Sequence, residues 1–247
     1  MLARLLVLAF GVGIAQATMA TTIEAVTEDS SYTFIERGNV SGPASEIVRD
    51  TLRAAGFTDV HFALSPWARA YSLALEQPNV LIYPIVRTPQ REALFRWVGQ
   101  LARVSIYLYK FRTADDVQAS VFDEAKHYTV GVVRDDARAN YLAAQGFSKL
   151  VVSATNEQNF KLFQLRQVQM IPLPEHDAIA FCAKAGIPFT ELEAVMPLNE
   201  LDIGIYMAYS LATPESIVVQ TVQAFKEVES AGGLKKMESI YSHERRP

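Results

Sequence analysis

Apolar positions in this chain fall in short continuous runs, separated by stretches of helical spacing and punctuated by glycine and proline. Thr22–Val26, Val60–Leu64 and Val80–Ile85 read as strands, each short and rich in aliphatic residues. Between them, Gly42-Pro43 introduces an amphipathic helix over Ala44–Ala55 that Gly56 ends, and a second helix runs from Pro66 to Leu75. This β-α-β-α-β order predicts a mostly parallel sheet flanked by helices. A long strand over Val104–Phe111 follows, then a helix-like stretch near Val117–Ala125 and a buried strand over Tyr128–Val133. Asp135-Asp136 can cap a helix that runs to Gln145 and stops at Gly146. A strand at Leu150–Ser153, a helix at Asn156–Arg166, a strand at Val168–Leu173 and a helix at Ala178–Ala185 complete a second α/β unit. The remainder predicts a strand in LDIGIYMAYS, a helix over Pro214–Ser230 and, after Gly232-Gly233, a last helix over Leu234–Ser242.

No loose linker separates the two units, and no repeat recurs along the chain. Two α/β lobes joined by strands suggest a hinged pair with a cleft between them, a favoured place for a small ligand. The expected division is lobe I over 21–104 plus 201–247, and lobe II over 105–200. The first 20 residues stand apart. Arg4 precedes an apolar run from Leu5 to Ile14, and small residues follow at Ala15-Gln16-Ala17 and Thr18-Met19-Ala20. That is the layout of a secretory signal peptide, too short in its apolar part to cross a bilayer, and it implies secretion.

Charge narrows the partners. With 23 Lys and Arg against 27 Asp and Glu, the net charge is −4, without the basic excess of a nucleic-acid binder. Cys182 is the only cysteine, in the apolar run AIAFCAKAGI, so it reads as a small buried hydrophobe rather than a nucleophile. The four histidines are scattered without metal-ligand spacing, and no phosphate-binding glycine loop or nucleophile elbow occurs in the mature chain. Neither a metal nor a cofactor is expected.

Basic and aromatic residues gather instead at strand ends. SPWARAYSLA puts Trp67 and Arg69 at a helix start, and YPIVRTPQR puts Tyr83, Arg87 and Arg91 just past a strand. Ligands of open α/β sheets bind outside such carboxyl ends, and a guanidinium matches a carboxylate in two-point fashion. For Arg91 the alternative is a surface ion pair, and for Trp67 a place in the core. Arg96, in LFRWVG, reads as solvated.

The stretches YTFIERGNVSGPASEIVRDTLRAAGF, LSPWARAYSLALEQPNVLIYPIVRTPQREALFRWVG, YTVGVVRDDARANYL and IYMAYSLATPESIVVQTVQAFKEVESAGG resemble the periplasmic solute-binding proteins of ABC-type amino-acid uptake, solute-binding family 3, with the type II periplasmic binding fold. The pairing of PWARAY with FxWVG is similar to a proteobacterial subgroup of that family. The resemblance implies two lobes, each a mostly parallel sheet flanked by helices. It implies capture of an amino-acid-like solute, no chemistry, an ABC permease as partner and a monomer.

In that family the arginine of a T-x-x-R motif grips the ligand carboxylate. Here the motif is Thr88-Pro89-Gln90-Arg91, with loop contacts expected from Tyr83–Val86. The entry RDDARA corresponds to a loop whose amides face the ligand, so Asp136 joins the candidates, although Asp135 and Asp136 stand where small residues are usual. Pro174 occupies the place of the family's ammonium-binding aspartate, with Glu175 adjacent as a substitute, and EHD at 175–177 otherwise reads as a helix cap. Tyr32 is the candidate stacking aromatic. The candidate ligand-binding set is thus Arg91, Trp67, Tyr32, Arg87, Tyr83, Arg69, Asp136 and Glu175. Two further readings of the fold remain open. One is a sensory protein that addresses a membrane receptor. The other is a dehydratase-like enzyme using Glu28, Asp29 or Glu175 as its acid or base.

Overall fold

The computed structural model describes residues 21–201 and 203–237. The expected signal peptide over residues 1–20, and residues 238–242 of the expected last helix, lie outside the described residues.

The first lobe opens with β1 (Ile23–Thr27), followed by a hairpin of β2 (Phe34–Glu36) and β3 (Asn39–Ser41). Then come α1 (Pro43–Ala54), β4 (Val60–Leu64), α2 (Trp67–Glu76), β5 (Val80–Val86) and β6 (Phe95–Val104). The second lobe holds β7 (Ile106–Phe111), α3 (Phe122–Ala125), β8 (Val130–Val133), α4 (Ala137–Ala144), β9 (Leu150–Ser153), α5 (Asn156–Gln164), β10 (Ile171–Pro174), α6 (Glu175–Ala185) and β11 (Leu192–Pro197). The chain returns through β12 (Ile203–Ser210) to α7 (Glu215–Ser230), and a last helical turn begins at residues 235–237.

The first sheet has the order β4-β1-β5-β12-β6. Its early strands are parallel, β1 lying between β4 and β5, as the β-α-β-α-β pattern predicts. β12 runs antiparallel to both β5 and β6 because it is the returning strand. In the second lobe β8 and β9 pair in parallel, whereas β10, β7 and β11 form an antiparallel trio. A parallel bridge from Val130 to Met170 joins the two groups. Two crossings therefore connect the lobes, at Ser105 between β6 and β7, and between β11 and β12.

Each lobe has its own apolar interior. Ile23, Ile47, Leu52, Leu81, Met207 and Phe225 pack together in the first. Leu108, Val130, Leu142 and Met170 pack in the second, beside a further cluster of Phe111, Phe160, Phe163 and Phe181. Cys182 is buried in that last cluster, as its sequence context predicts.

Several elements differ from expectation. The strand expected over Val104–Phe111 is broken at Ser105, and most of what precedes it, FRWVGQLAR, is itself strand. The helix expected over Val117–Ala125 is confined to Phe122–Ala125. α6 begins at Glu175 rather than Ala178, because Pro174 supplies a fixed φ of −59° at the helix entry.

Candidate functional site

The helix starts carry the site. α2 begins at Trp67 directly after Pro66, α4 after Asp136, α5 at Asn156 after the Thr155 cap, and α6 at Glu175 after Pro174. Their N-terminal ends converge with the loop after β1 on a cleft between the lobes, outside the carboxyl ends of β1, β8, β9 and β10. Tyr32 is placed there by Gly42. This glycine has φ 105°, and a Cβ on it would collide with the Tyr32 carbonyl, which accepts a bond from Ala44 N at 3.1 Å. The loop bearing Tyr32 is thereby drawn against the start of α1.

The cleft holds two buried guanidinium groups. Arg138 donates to both oxygens of Asp136, from Nε at 2.7 Å and Nη2 at 2.9 Å, and also to Asn156 Oδ1 at 3.0 Å and the Pro172 carbonyl at 3.2 Å. Asp136 caps α4 as well, accepting from Arg138 N at 2.7 Å. Burial alone would raise the Asp136 pKa, but the Arg138 guanidinium outweighs it and holds the carboxylate below its ordinary value. Burial alone would lower the Arg138 pKa, but the carboxyls of Asp136, Glu28 and Asp177 together raise it.

Arg91 is only 4% exposed. It donates from Nη1 to the Val86 carbonyl at 3.2 Å and from Nη2 to the Asp135 carbonyl at 3.0 Å. Its guanidinium carbon stands 5.3 Å from the Trp67 ring centre and 4.9 Å from that of Tyr71. Trp67 Nε1 donates to the same Asp135 carbonyl at 2.9 Å. Two donors of the first lobe thus meet on one oxygen of the second, turned into the cleft by the left-handed backbone of Asp135, at φ 59°.

Carboxyl groups share the cleft with Arg91. Glu28 Oε2 accepts from Asn156 Nδ2 at 2.9 Å, and Asp177 Oδ1 accepts from Ser31 N at 2.8 Å, both across the lobes. Lys184 Nζ adds a peripheral bond to Asp29 Oδ2 at 2.8 Å. Burial of its carboxyl, with Asp136, Asp177 and Asp29 nearby and Arg138 opposing them, pushes the Glu28 pKa up to about 8. Burial also raises Asp177. The free space among these residues is about 60 Å³, room for a few waters. It opens beside wider mouths of about 500 Å³, near Phe34 and Lys184, and about 590 Å³, near Tyr71 and Asn140.

Of the eight residues expected at the site, Arg91, Trp67, Tyr32 and Asp136 line the cleft. The other four lie elsewhere. Arg87 pairs with Glu92 and stacks over Trp97 and Tyr206 on the first lobe. Tyr83 is fully buried, bonded to Ser45 at 3.2 Å, because the strand alternation turns it into the core behind the cleft. Arg69 is exposed on α2, two residues on from Trp67 and therefore on a different face. Glu175 is half-buried at the start of α6 and does not line the cleft, whereas Asp177 in the same turn does. Of the three acid/base candidates, Glu28 lines the central cleft and Asp29 only its wider mouth. Reasoning from sequence missed Arg138, Asn156 and the placement of Asp177. The EHD run was the available signal for the last.

No family model matches the chain, and no curated protein matches it in sequence. Solved structures do match in fold. A histidine kinase sensor domain with similarity to periplasmic binding proteins superposes with a TM-score of 0.76 at 17% identity, over 90% of this chain and 95% of that one. The chain has the periplasmic binding protein fold. An amino-acid ABC transporter substrate-binding protein from Streptococcus pneumoniae, bound to L-arginine, gives a TM-score of 0.75 at 13% identity, over 92% and 97% of the two chains. A periplasmic binding protein of the histidine, glutamate, glutamine, arginine and opine family from Silicibacter pomeroyi, in complex with lysine, gives 0.71 at 19%, over 87% and 94%. At these identities the likeness is one of fold, and it bears out the two-lobe α/β architecture.

Proposed function

We propose that this protein captures a small polar or anionic, amino-acid-like solute between its lobes and delivers it to an ABC permease. The carrying observation is Arg91, a buried guanidinium on two aromatic faces whose hydrogen bonds go to carbonyls rather than to a carboxylate. A ligand carboxylate would take over the Asp135 carbonyl's place on Arg91 and Trp67, with charge-assisted bonds stronger than those it replaces. A ligand ammonium would lie toward Glu28 and Asp177, with Tyr32 against the ligand's body. The binding set in this reading is Arg91, Trp67, Tyr32, Glu28 and Asp177, with Asp136 and Arg138 as the brace behind them.

The moving bodies are 21–104 plus 201–247, and 105–200. Closure follows when the solute binds the closed arrangement more tightly than the open one. Residues 1–20 are the export signal, and the mature protein works in the periplasm as a monomer, without catalysis. The sensor-domain neighbour supports a second reading, in which the closed form addresses a membrane receptor.

A thermal-shift screen against amino acids, dicarboxylates, polyamines and small peptides tests the proposal. A solute at 100 times its Kd stabilises the native state by about 2.7 kcal/mol. The expected result is a hit that Arg91→Ala abolishes, with the solute recovered chemically unchanged. A hit that survives Arg91→Ala removes Arg91 from the site, and no hit anywhere in the panel overturns capture of these solute classes.

A further inference from the structure

Glu28 has a neighbourhood unlike that of a surface glutamate. Its carboxyl belongs to the first lobe, yet everything it meets across the cleft belongs to the second. α4 contributes Asp136 and Arg138, α5 contributes Asn156, and α6 contributes Asp177 with His176 beside it. Asp29 follows on its own loop and is tied to Lys184. Arg138 is the cation whose charge acts on this group, and its fork is already taken by both oxygens of Asp136. Among the described residues no group of three acids, histidines or cysteines is arranged to hold a metal ion. Without a solute ammonium in the cleft, a proton is therefore the means of neutralising Glu28 that this cluster leaves.

We propose that protonation of Glu28 latches the lobes, so that the cleft closes by taking up a proton. The inference rests on reading the cleft as one that opens and closes around a solute. The neutral carboxyl suits the closed arrangement because it keeps a carbonyl oxygen for Asn156 Nδ2 while adding no third negative charge beside Asp136 and Asp177. The ionised form keeps that bond but must sit enclosed among like charges. Opening returns the carboxyl to water, where a glutamate titrates near ~4.3. In the closed cleft its pKa is about 8. The sign follows from linkage. Below the open-form value both arrangements are protonated and closure is fully supported. Between the two values closure takes up one proton, so its equilibrium constant falls about tenfold per pH unit. Above about 8 the support is gone. Asp177 shifts in the same direction. The Asp136–Arg138 pair lies wholly in the second lobe, persists on opening and adds nothing to this dependence.

Small-angle X-ray scattering of the purified protein, without added solute, tests the latch from about pH 5 to about pH 9. The expected result is a radius of gyration that grows as pH rises toward and through about 8 in the wild type. Glu28→Gln, which keeps the carbonyl acceptor and cannot ionise, stays compact throughout. A wild-type radius that does not change with pH overturns the latch, and so does a Glu28→Gln variant that opens over the same pH range. Should Glu28→Gln fail to fold, an infrared titration of the wild type replaces it. A protonated-carboxyl band lost near pH 8 supports the latch, and its absence at neutral pH overturns it. Because no solute is used, a failed solute screen leaves this outcome readable. A positive screen with a flat scattering profile overturns the latch alone.

Discussion

Two arginines line the same cleft, 4% and 8% exposed, and they are held in opposite ways. Arg138 spends its fork on one carboxylate, an amide oxygen and a carbonyl, all in the second lobe. Arg91 has two carbonyls, one from each lobe, and rests on the faces of Trp67 and Tyr71. Burial is nearly the same for both, so burial cannot tell what either does. The partners can. A guanidinium matched to its own carboxylate braces the fold. The bonds of the other go to carbonyls and π faces instead, and in the proposed function it is this one that meets the solute.

The comparison breaks or sharpens with four variants. Asp136→Ala strands Arg138 as a buried charge without its carboxylate and should cost about 3–5 kcal/mol in a chemical unfolding titration. Replacing the pair together, Asp136→Leu with Arg138→Met, should recover much of that loss, as expected of a brace rather than a binding group. Trp67→Phe keeps the ring under Arg91 and removes only the indole N–H on the Asp135 carbonyl, for about 1 kcal/mol in the same titration. A loss as large as that of Asp136→Ala would mean that the Arg91 side of the cleft is equally structural. The smallest effect is expected from Arg87→Ala. This third arginine is paired with Glu92 at the surface, so its loss should leave both the melting temperature and any solute affinity unchanged within error. A weakened solute affinity would show that the site extends beyond the cleft.

The fold was legible where apolar runs met glycine and proline. The parallel core β1, β4 and β5 with α1 and α2 follows from such punctuation, Gly42-Pro43 and Gly56 above all. β6 was not legible, because FRWVGQLARV mixes arginines and a glutamine into the alternation of a strand near the surface. The β2–β3 hairpin was missed for a different reason. Its strands are three residues each, and its tight turn rests on Arg37 at φ 50° beside Gly38 at φ 80°. At the site, Arg91 and Trp67 could be found from their positions just past strand ends. Asn156 and Arg138 could not, since each earns its place only by what the opposite lobe or a distant turn brings to it. Asp177 over Glu175 is a matter of helical phase. Once α6 starts at Glu175, the third residue of the turn faces the cleft and the first does not.

The chain has two tryptophans, and their surroundings are unlike. Trp97 sits in β6 among Phe95, Tyr206 and Arg87, entirely within the first lobe. Trp67 spans the lobes through its indole N–H. Parting the lobes changes the polarity around Trp67 and leaves Trp97 in place, so the molecule carries its own optical gauge. In a Trp97→Phe background, one intrinsic emission band would report the cleft in real time, with no attached dye.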